Sequence, residues 1–241
     1  IGFLFQDFAL FPHLSVSDNV TFGLRGLPAQ EQKSRALDLL KAVGLAEFAD
    51  IFPSTLSGGE QQRAALARAM APRPSLVLMD EPFSNLDPQL RDQMRDLTLR
   101  LLKENKAAGL IVTHDAADAL RMADRIAVQK EGRILQMDTP SEIYQQPTSL
   151  DVALMFGPVN MLPNEKRRAV RPADVAFSGS GDDIEVSGEI VSARPIGRDA
   201  LLEVKLDSGE IWQVVNSHEN MPMTGTHKLF VPQARLMLFK T

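Results

Sequence analysis

The sequence predicts a mixed α/β domain built on a parallel sheet, followed by a small all-β domain. Three observations predict it. Two short apolar runs, residues 76–79 and 110–113, flank one long amphipathic stretch, "PQLRDQMRDLTLRLLKEN". Strand, helix, strand in that order makes a right-handed βαβ unit and a parallel sheet. After about Pro158 the chain changes character and becomes short alternating segments separated by Gly, Pro, Asp and Ser, such as "DIEVSGEIVSARPIG" and "ALLEVKLDSGEIWQVV". That pattern reads as antiparallel strands, with Asp207-Ser208-Gly209 as a turn.

The elements follow in order. Residues 1–11 are apolar and aromatic, broken by Gln6 and Asp7, and residues 1–5 read as a strand. "SVSDNV" opens a helix. "AQEQKSRALDLLKAVGL" puts Ala36, Leu37, Leu40 and Val43 on one helical face, and Gly44 is a natural stop. In "TLSGGEQQRAALARAM", Ser57 and Glu60 have the spacing of a capping box, so a helix starts at Gly58. Glycine is a poor helix former, and stability does not explain the pair Gly58-Gly59. Two glycines do strip side chains from a helix N-terminus, where bare N–H groups and the positive dipole end suit a phosphate. An ordinary capped helix is the plain alternative. "SLVLMDEP" is expected to be a strand covered on both faces, and "GLIVTHD" a second. "AADALRMA" is a further helix. "RIAVQKEGRILQMD" is a hairpin turning near Glu131-Gly132.

Length and composition bound the function. At 241 residues, one or two domains are expected. The 44% hydrophobic and 24% charged fractions are those of a globular chain. A net charge of -5 argues against a general nucleic-acid binder. The absence of cysteine excludes a disulfide framework and any Cys-based zinc or redox site. No apolar run reaches the ~20 residues of a membrane helix, and the first residues lack a signal-peptide pattern.

In parallel sheets, ligands meet residues just past the carboxyl ends of strands. Those positions are Asp80, Glu81 and His114. An Asp-Glu pair after one strand and a histidine after its neighbour suit nucleotide hydrolysis. Asp80 can hold Mg²⁺, Glu81 can polarise an attacking water, and His114 can bond a γ-phosphate oxygen and orient that water.

The whole set resembles the ATP-binding subunit of a binding-protein-dependent ABC importer. "LSGGEQQR" looks like the family's signature motif and "LVLMDEP" like its Walker B strand with the catalytic glutamate. "SNLD" looks like the D-loop, with Ser84 and Asp87. "VTHD" carries the switch histidine, and "FLFQDFALFPHLSVSDNV" looks like the Q-loop. The tail, with "VRPADV" and "PQARLMLF", resembles the TOBE domain that follows many importer ATPases. The resemblance implies a P-loop-type ABC ATPase fragment over 1–157 with a helical subdomain, and a TOBE-like barrel over 158–241. It implies Glu81, His114 and Gln6 as catalytic, and Asp80 with Gln6 on Mg²⁺. Ser57, Gly58, Gly59 and Glu60 would meet the partner subunit's ATP in trans. It implies ATP and Mg²⁺ as cofactors. The expected partners are a second ATPase subunit in a homodimer, integral-membrane permease subunits and, indirectly, a periplasmic solute-binding protein; nucleic acid is not among them. The expected place is the cytoplasmic face of the inner membrane.

One motif of the family is missing. No G-x-x-x-x-G-K-[ST] P-loop occurs in these residues, so the chain is expected to be truncated before the Q-loop and to hydrolyse little ATP alone. A truncated chain acting only through protein binding is the alternative of another class; a soluble ABC ATPase of DNA repair or translation is disfavoured by the β tail. Ferric iron is the best-fitting cargo, on "FLFQDFALFPHLSV" and "LDVALMFGPVNMLP". Spermidine/putrescine, sulfate and sugar importers share much of the pattern.

Overall fold

A computed structural model describes residues 1–24, 26–217, 222 and 224–239. The chain forms two compact units, Ile1–Met122 and Ala123–Thr241.

The first unit runs β1 (Gly2–Leu4), α1 (Val16–Thr21), α2 (Ala29–Ala42), α3 (Gly58–Met70), β2 (Leu76–Asp80), α4 (Pro88–Glu104), β3 (Ala108–Val112) and α5 (Ala116–Met122). The three strands pair in parallel in the order β1-β2-β3. Leu4 lies opposite Met79, and Asp80 opposite Val112. All three carboxyl ends therefore meet at one edge, as the βαβ reading requires.

Local chemistry sets the helix starts. Ser15 caps α1 through the Asp18 N–H, Ser57 caps α3, and Asp87 caps α4 through the Leu90 N–H with Pro88 in the first turn. Gly44, at φ 71°, ends α2 as expected. The core gathers Leu4, Val20, Leu40, Leu66, Met70, Val77, Met79, Met94 and Leu101. α3 lies against β1 so closely that a Cβ on Gly2 would stand 2.5 Å from the Ala69 carbonyl oxygen. Only glycine permits that approach.

Two expectations need correction. The strands at 76–79 and 110–113 are not covered on both faces. One face of the sheet, with Leu4, Val77 and Met79, is buried. The other carries Phe3 at 40% exposure, Leu110 at 57% and Val112 at 58%. The apolar run arises because both faces are apolar, not because both are buried. Leu37 also leaves the expected α2 face and is 42% exposed, whereas Ala36 and Leu40 are buried.

The second unit begins with the hairpin β4 (Ile126–Lys130) and β5 (Arg133–Asp138), turning at Glu131 (φ 50°) and Gly132 (φ 75°). α6 (Pro140–Gln145) opens on a Thr139/Glu142 capping box, and α7 (Leu150–Met155) follows. Then β6 (Asn160–Met161), β7 (Arg168–Val170), β8 (Ile184–Ile196), β9 (Asp199–Leu206), β10 (Ile211–Ser217), β11 (Gly225–Val231) and β12 (Met237–Leu238) pair antiparallel. They form a four-stranded sheet, β10-β9-β8-β11, and a three-stranded sheet, β12-β7-β6. The turn at Gly209 (φ 100°) joins β9 to β10 as expected. Buried Trp212 anchors the core and donates to the Met161 carbonyl at 3.0 Å.

The compact unit starts before the composition change at 157/158. Arg171, within "VRPADV", shows why. It is buried, donates to the carbonyls of Ala153 (2.9 Å) and Gly157 (2.8 Å), and lies 4.6 Å over the Tyr144 ring. One side chain thus fastens the residues after the hairpin to the all-β part.

Candidate functional site

The site grows from the end of β2. The apolar run stops at Asp80, and the chain turns sharply at Glu81, whose φ of 46° lies in the left-handed region. Such a conformation costs an L-residue about 1–3 kcal/mol and persists only where neighbours hold it. Several do. The Glu81 N–H donates to the Val112 carbonyl at 2.9 Å. Ser84 Oγ donates to the Glu81 carbonyl at 3.0 Å. The buried Gln62 of α3 donates to the carbonyl of the next residue, Pro82.

The Glu81 carboxylate faces His114, which follows β3. One oxygen, Oε1, accepts from the His114 backbone N–H at 3.0 Å and lies 2.7 Å from ring Nδ1. The hydrogen bond to Glu81, then its charge, hold the His114 ring above the ordinary histidine pKa; Asp115 adds to this and Arg91 opposes it. The Glu81 side chain is only 19% exposed, while His114 is 79% exposed. The carboxylate is therefore sheltered, and the imidazole is presented. A carboxylate on one ring nitrogen fixes the tautomer and leaves the other nitrogen for an external partner. Asp115 anchors the loop from its far side. It accepts from the Ala117 N–H at 2.7 Å and from Arg91 of α4 at 2.6 Å.

Asp80 and Gln6 leave the same edge, Gln6 just after β1 and Asp80 at the end of β2, and both are exposed. Among the described residues the Asp80 carboxylate makes no hydrogen bond or ion pair. Among them no three His, Cys, Asp or Glu gather into a metal cage either. Two hard oxygen donors without a third acid fit Mg²⁺, which keeps waters and takes phosphate oxygens for the rest.

The start of α3 carries the expected capping box. Ser57 N–H donates to Glu60 Oε2 at 2.8 Å, Ser57 Oγ donates to the same oxygen at 2.7 Å, and the Glu60 N–H returns to Ser57 Oγ at 3.4 Å. The Ser57 hydroxyl, then its N–H, hold the Glu60 carboxyl below its usual range. The two glycines differ. A Cβ on Gly59 would stand 2.4 Å from Leu90 Cδ2, so packing against α4 accounts for that glycine. A Cβ on Gly58 would meet nothing within 4 Å. Gly58 is exposed, and no packing among the described residues accounts for its lack of a side chain.

The structure thus joins Glu81, His114 and Ser84 directly. Asp87 and Gly59 meet at Leu90, whose N–H Asp87 caps at 3.0 Å and whose side chain covers Gly59. The helix of the signature residues also reaches this turn through Gln62, which donates to the Pro82 carbonyl. Sequence reasoning missed Gln62, Arg68 of the same helix, and Asn19 of α1. Their signal was there: polar residues on otherwise apolar, buried helix faces.

The chain is similar to known proteins over much of its length. The ABC transporter family model matches residues 1–84. The Fe(3+) ions import ATP-binding protein FbpC of Haemophilus influenzae is 46% identical over 165 residues, 68% of this chain and 47% of that protein. The chain therefore spans about half the length of these iron-import relatives. The sulfate/thiosulfate import ATP-binding protein CysA of Pseudomonas aeruginosa is 38% identical over 232 residues, 92% of this chain and 70% of that protein. Among solved structures, the dimeric structure of MJ0796, a bacterial ABC transporter cassette, superposes with a TM-score of 0.52 at 36% identity. It covers 58% of this chain and 62% of that one.

Proposed function

The chain belongs to the ABC transporter family, and from that premise we propose that it forms part of the ATP-hydrolysing subunit of a bacterial importer. The observation that carries the reading is the Glu81–His114 pair, 2.7 Å apart, at the shared carboxyl edge of β2 and β3. The full-length protein acts as a dimer, as the dimeric cassette neighbour suggests, with each ATP between one subunit and the other's Ser57, Gly58 and Gly59. Glu60 holds Ser57 in place there. Asp80 and Gln6 would hold Mg²⁺, which would supply neutralisation of phosphate charge. Glu81 orients and deprotonates water, and His114 offers its free ring nitrogen to the terminal phosphate. Ser84 and Asp87 stabilise the turn between Glu81 and α4.

No helix among the described residues is long and apolar enough to cross a membrane. The subunit sits on the cytoplasmic face of the inner membrane, bound to permease subunits through residues 8–14 and served indirectly by a periplasmic binding protein. The all-β residues from 158 onward form a TOBE-like domain, and those before it the ATPase domain. The 241 residues alone, without a P-loop motif, should turn over ATP negligibly.

The cargo we favour is ferric iron, on the identity to iron-import proteins over the ATPase part. Sulfate is the second reading, favoured by a sulfate/thiosulfate relative matched over 92% of this chain. Uptake of radiolabelled ferric iron and of sulfate in a strain deleted for the gene decides between them. Loss of neither removes both cargoes.

A further inference from the structure

Helix α3 grips a second left-handed segment besides the one at Glu81. Phe8 and Ala9 have φ of 63° and 46°, and neither is glycine. Two consecutive residues in this region need an external hold. Arg68, near the C-terminal end of α3, supplies it. Its Nη2 donates to the Phe8 carbonyl at 2.9 Å and its Nη1 to the Ala9 carbonyl at 2.6 Å. Its guanidinium lies 5.5 Å over the Phe11 ring. Burial pushes the Arg68 pKa down, opposed by Asp7, yet among the described residues no carboxylate forms a salt bridge with it. The charge is committed to two backbone carbonyls. A planar fork can serve both at once; a lysine ammonium has no such geometry.

The far side of the segment is held as well. Buried Asn19 accepts from the Phe11 N–H at 2.8 Å and donates to the carbonyls of Phe11 (3.1 Å) and Leu14 (3.2 Å). Residues 8–14 thus have their backbone fastened from beneath, with Phe8, Leu10, Phe11 and Leu14 half-exposed. The same α3 begins at Ser57 and Gly58 and reaches Pro82 through Gln62.

We propose that Arg68 is a positioning residue, which ties the left-handed turn at Phe8 and Ala9 to α3, so that the surface at residues 8–14 moves with the helix that carries Ser57 and Gly58. The use of that surface rests on the proposed importer function; the clamp itself does not.

Amide hydrogen exchange on the 241-residue chain tests the clamp. The reporter is the Phe8 amide, which donates to the Phe5 carbonyl at 3.0 Å. Arg68→Met should speed its exchange roughly tenfold or more while α3 amides stay protected. Arg68→Lys should fall between Met and the parent. Ala9→Gly, added to either variant, should restore protection, because glycine takes positive φ freely without touching Arg68. If Arg68→Met does not fold, Arg68→Lys with and without Ala9→Gly carries the test. Parental exchange in the variants, or no restoration by Ala9→Gly, overturns the proposal. In the reconstituted full-length transporter, Arg68→Met should keep basal ATP turnover and lower transport ~10-fold. Undiminished transport overturns the coupling role. A full-length protein without ATPase activity would instead remove the importer reading, leaving the exchange result standing.

Discussion

Two turns in the first unit hold the candidate site residues, and they are built on opposite terms. At the end of β2, almost every group finds its partner inside the chain. Glu81 is held by Val112, Ser84 and His114, and Pro82 by Gln62. At the start of α3, Ser57 and Glu60 satisfy each other, but Gly58 faces open space. The first turn is held by the chain's own groups, with the Asp80 carboxylate and one His114 ring nitrogen left open; under the proposed function, the second is left bare for a partner's ligand. A catalytic group must be preorganised by its own subunit, whereas a surface that closes on a partner's ligand must be left bare.

The largest test of that contrast falls on the turn at Glu81. In the full-length protein, Glu81→Gln should keep ATP binding and slow turnover ~10²-fold or more, since it removes the water-polarising carboxylate. The amide oxygen can still accept from the His114 N–H, so the turn should survive. Phosphate release at the parental rate would take Glu81 out of the chemistry.

The bare turn is tested next. Gly58→Asp places a carboxylate where a partner's phosphate is expected, and like charges repel. The fold and monomeric ATP binding should persist, and ATP-driven dimerisation should fail. Light scattering in a Glu81→Gln background measures it. Dimerisation equal to the parent's would reduce this stretch to a helix cap.

A smaller effect separates the two glycines. Gly58→Ala should stabilise the 241-residue chain by ~0.5–1 kcal/mol, because alanine is the better helix former and nothing opposes its methyl. Gly59→Ala must displace Leu90 and should be about 1 kcal/mol worse than Gly58→Ala. Thermal melts of the two variants should therefore bracket each other in that order; the reverse order would contradict the packing of Leu90 over Gly59. Ser57→Ala should cost ~1 kcal/mol for the lost cap.

The smallest effect is in pH. The His114 ring should titrate above the usual ~6.5 for histidine, and Glu81→Gln should bring it down, as followed by NMR. A raised folded pKa means the pair's stabilisation is fully present below the unfolded value and is lost as pH rises through the folded one. A His114 midpoint unmoved by Glu81→Gln would separate the two side chains in solution.

Much of this was legible beforehand, for physical reasons. The cap at α3 read well because it is local: Ser57 with Glu60 needs only spacing and a helix to follow. The order strand, helix, strand fixed which residues share an edge, which brought Glu81 and His114 together. Burial read less well. The runs at 76–79 and 110–113 look alike whether one face or two is covered, because periodicity cannot see what lies against a sheet. Polar residues on buried helix faces could be flagged, but their long-range partners could not. Gln62 reaches a residue 20 positions away and Arg68 one 60 away, and no local pattern encodes such a pairing. Leu90 over Gly59 was hidden for the same reason.

The uncovered face of the β1-β2-β3 sheet has a colloidal consequence. Phe3 of β1 and Leu110 and Val112 of β3 expose apolar side chains on that face, and among the described residues β3 is an edge strand of the sheet. An apolar edge of this kind is a template for edge-to-edge association. Prepared alone, the 241-residue chain should therefore thicken into soluble aggregates as its concentration rises. A single inward-neutral change, Leu110→Lys, should hold it dispersed without touching the edge that bears Glu81 and His114.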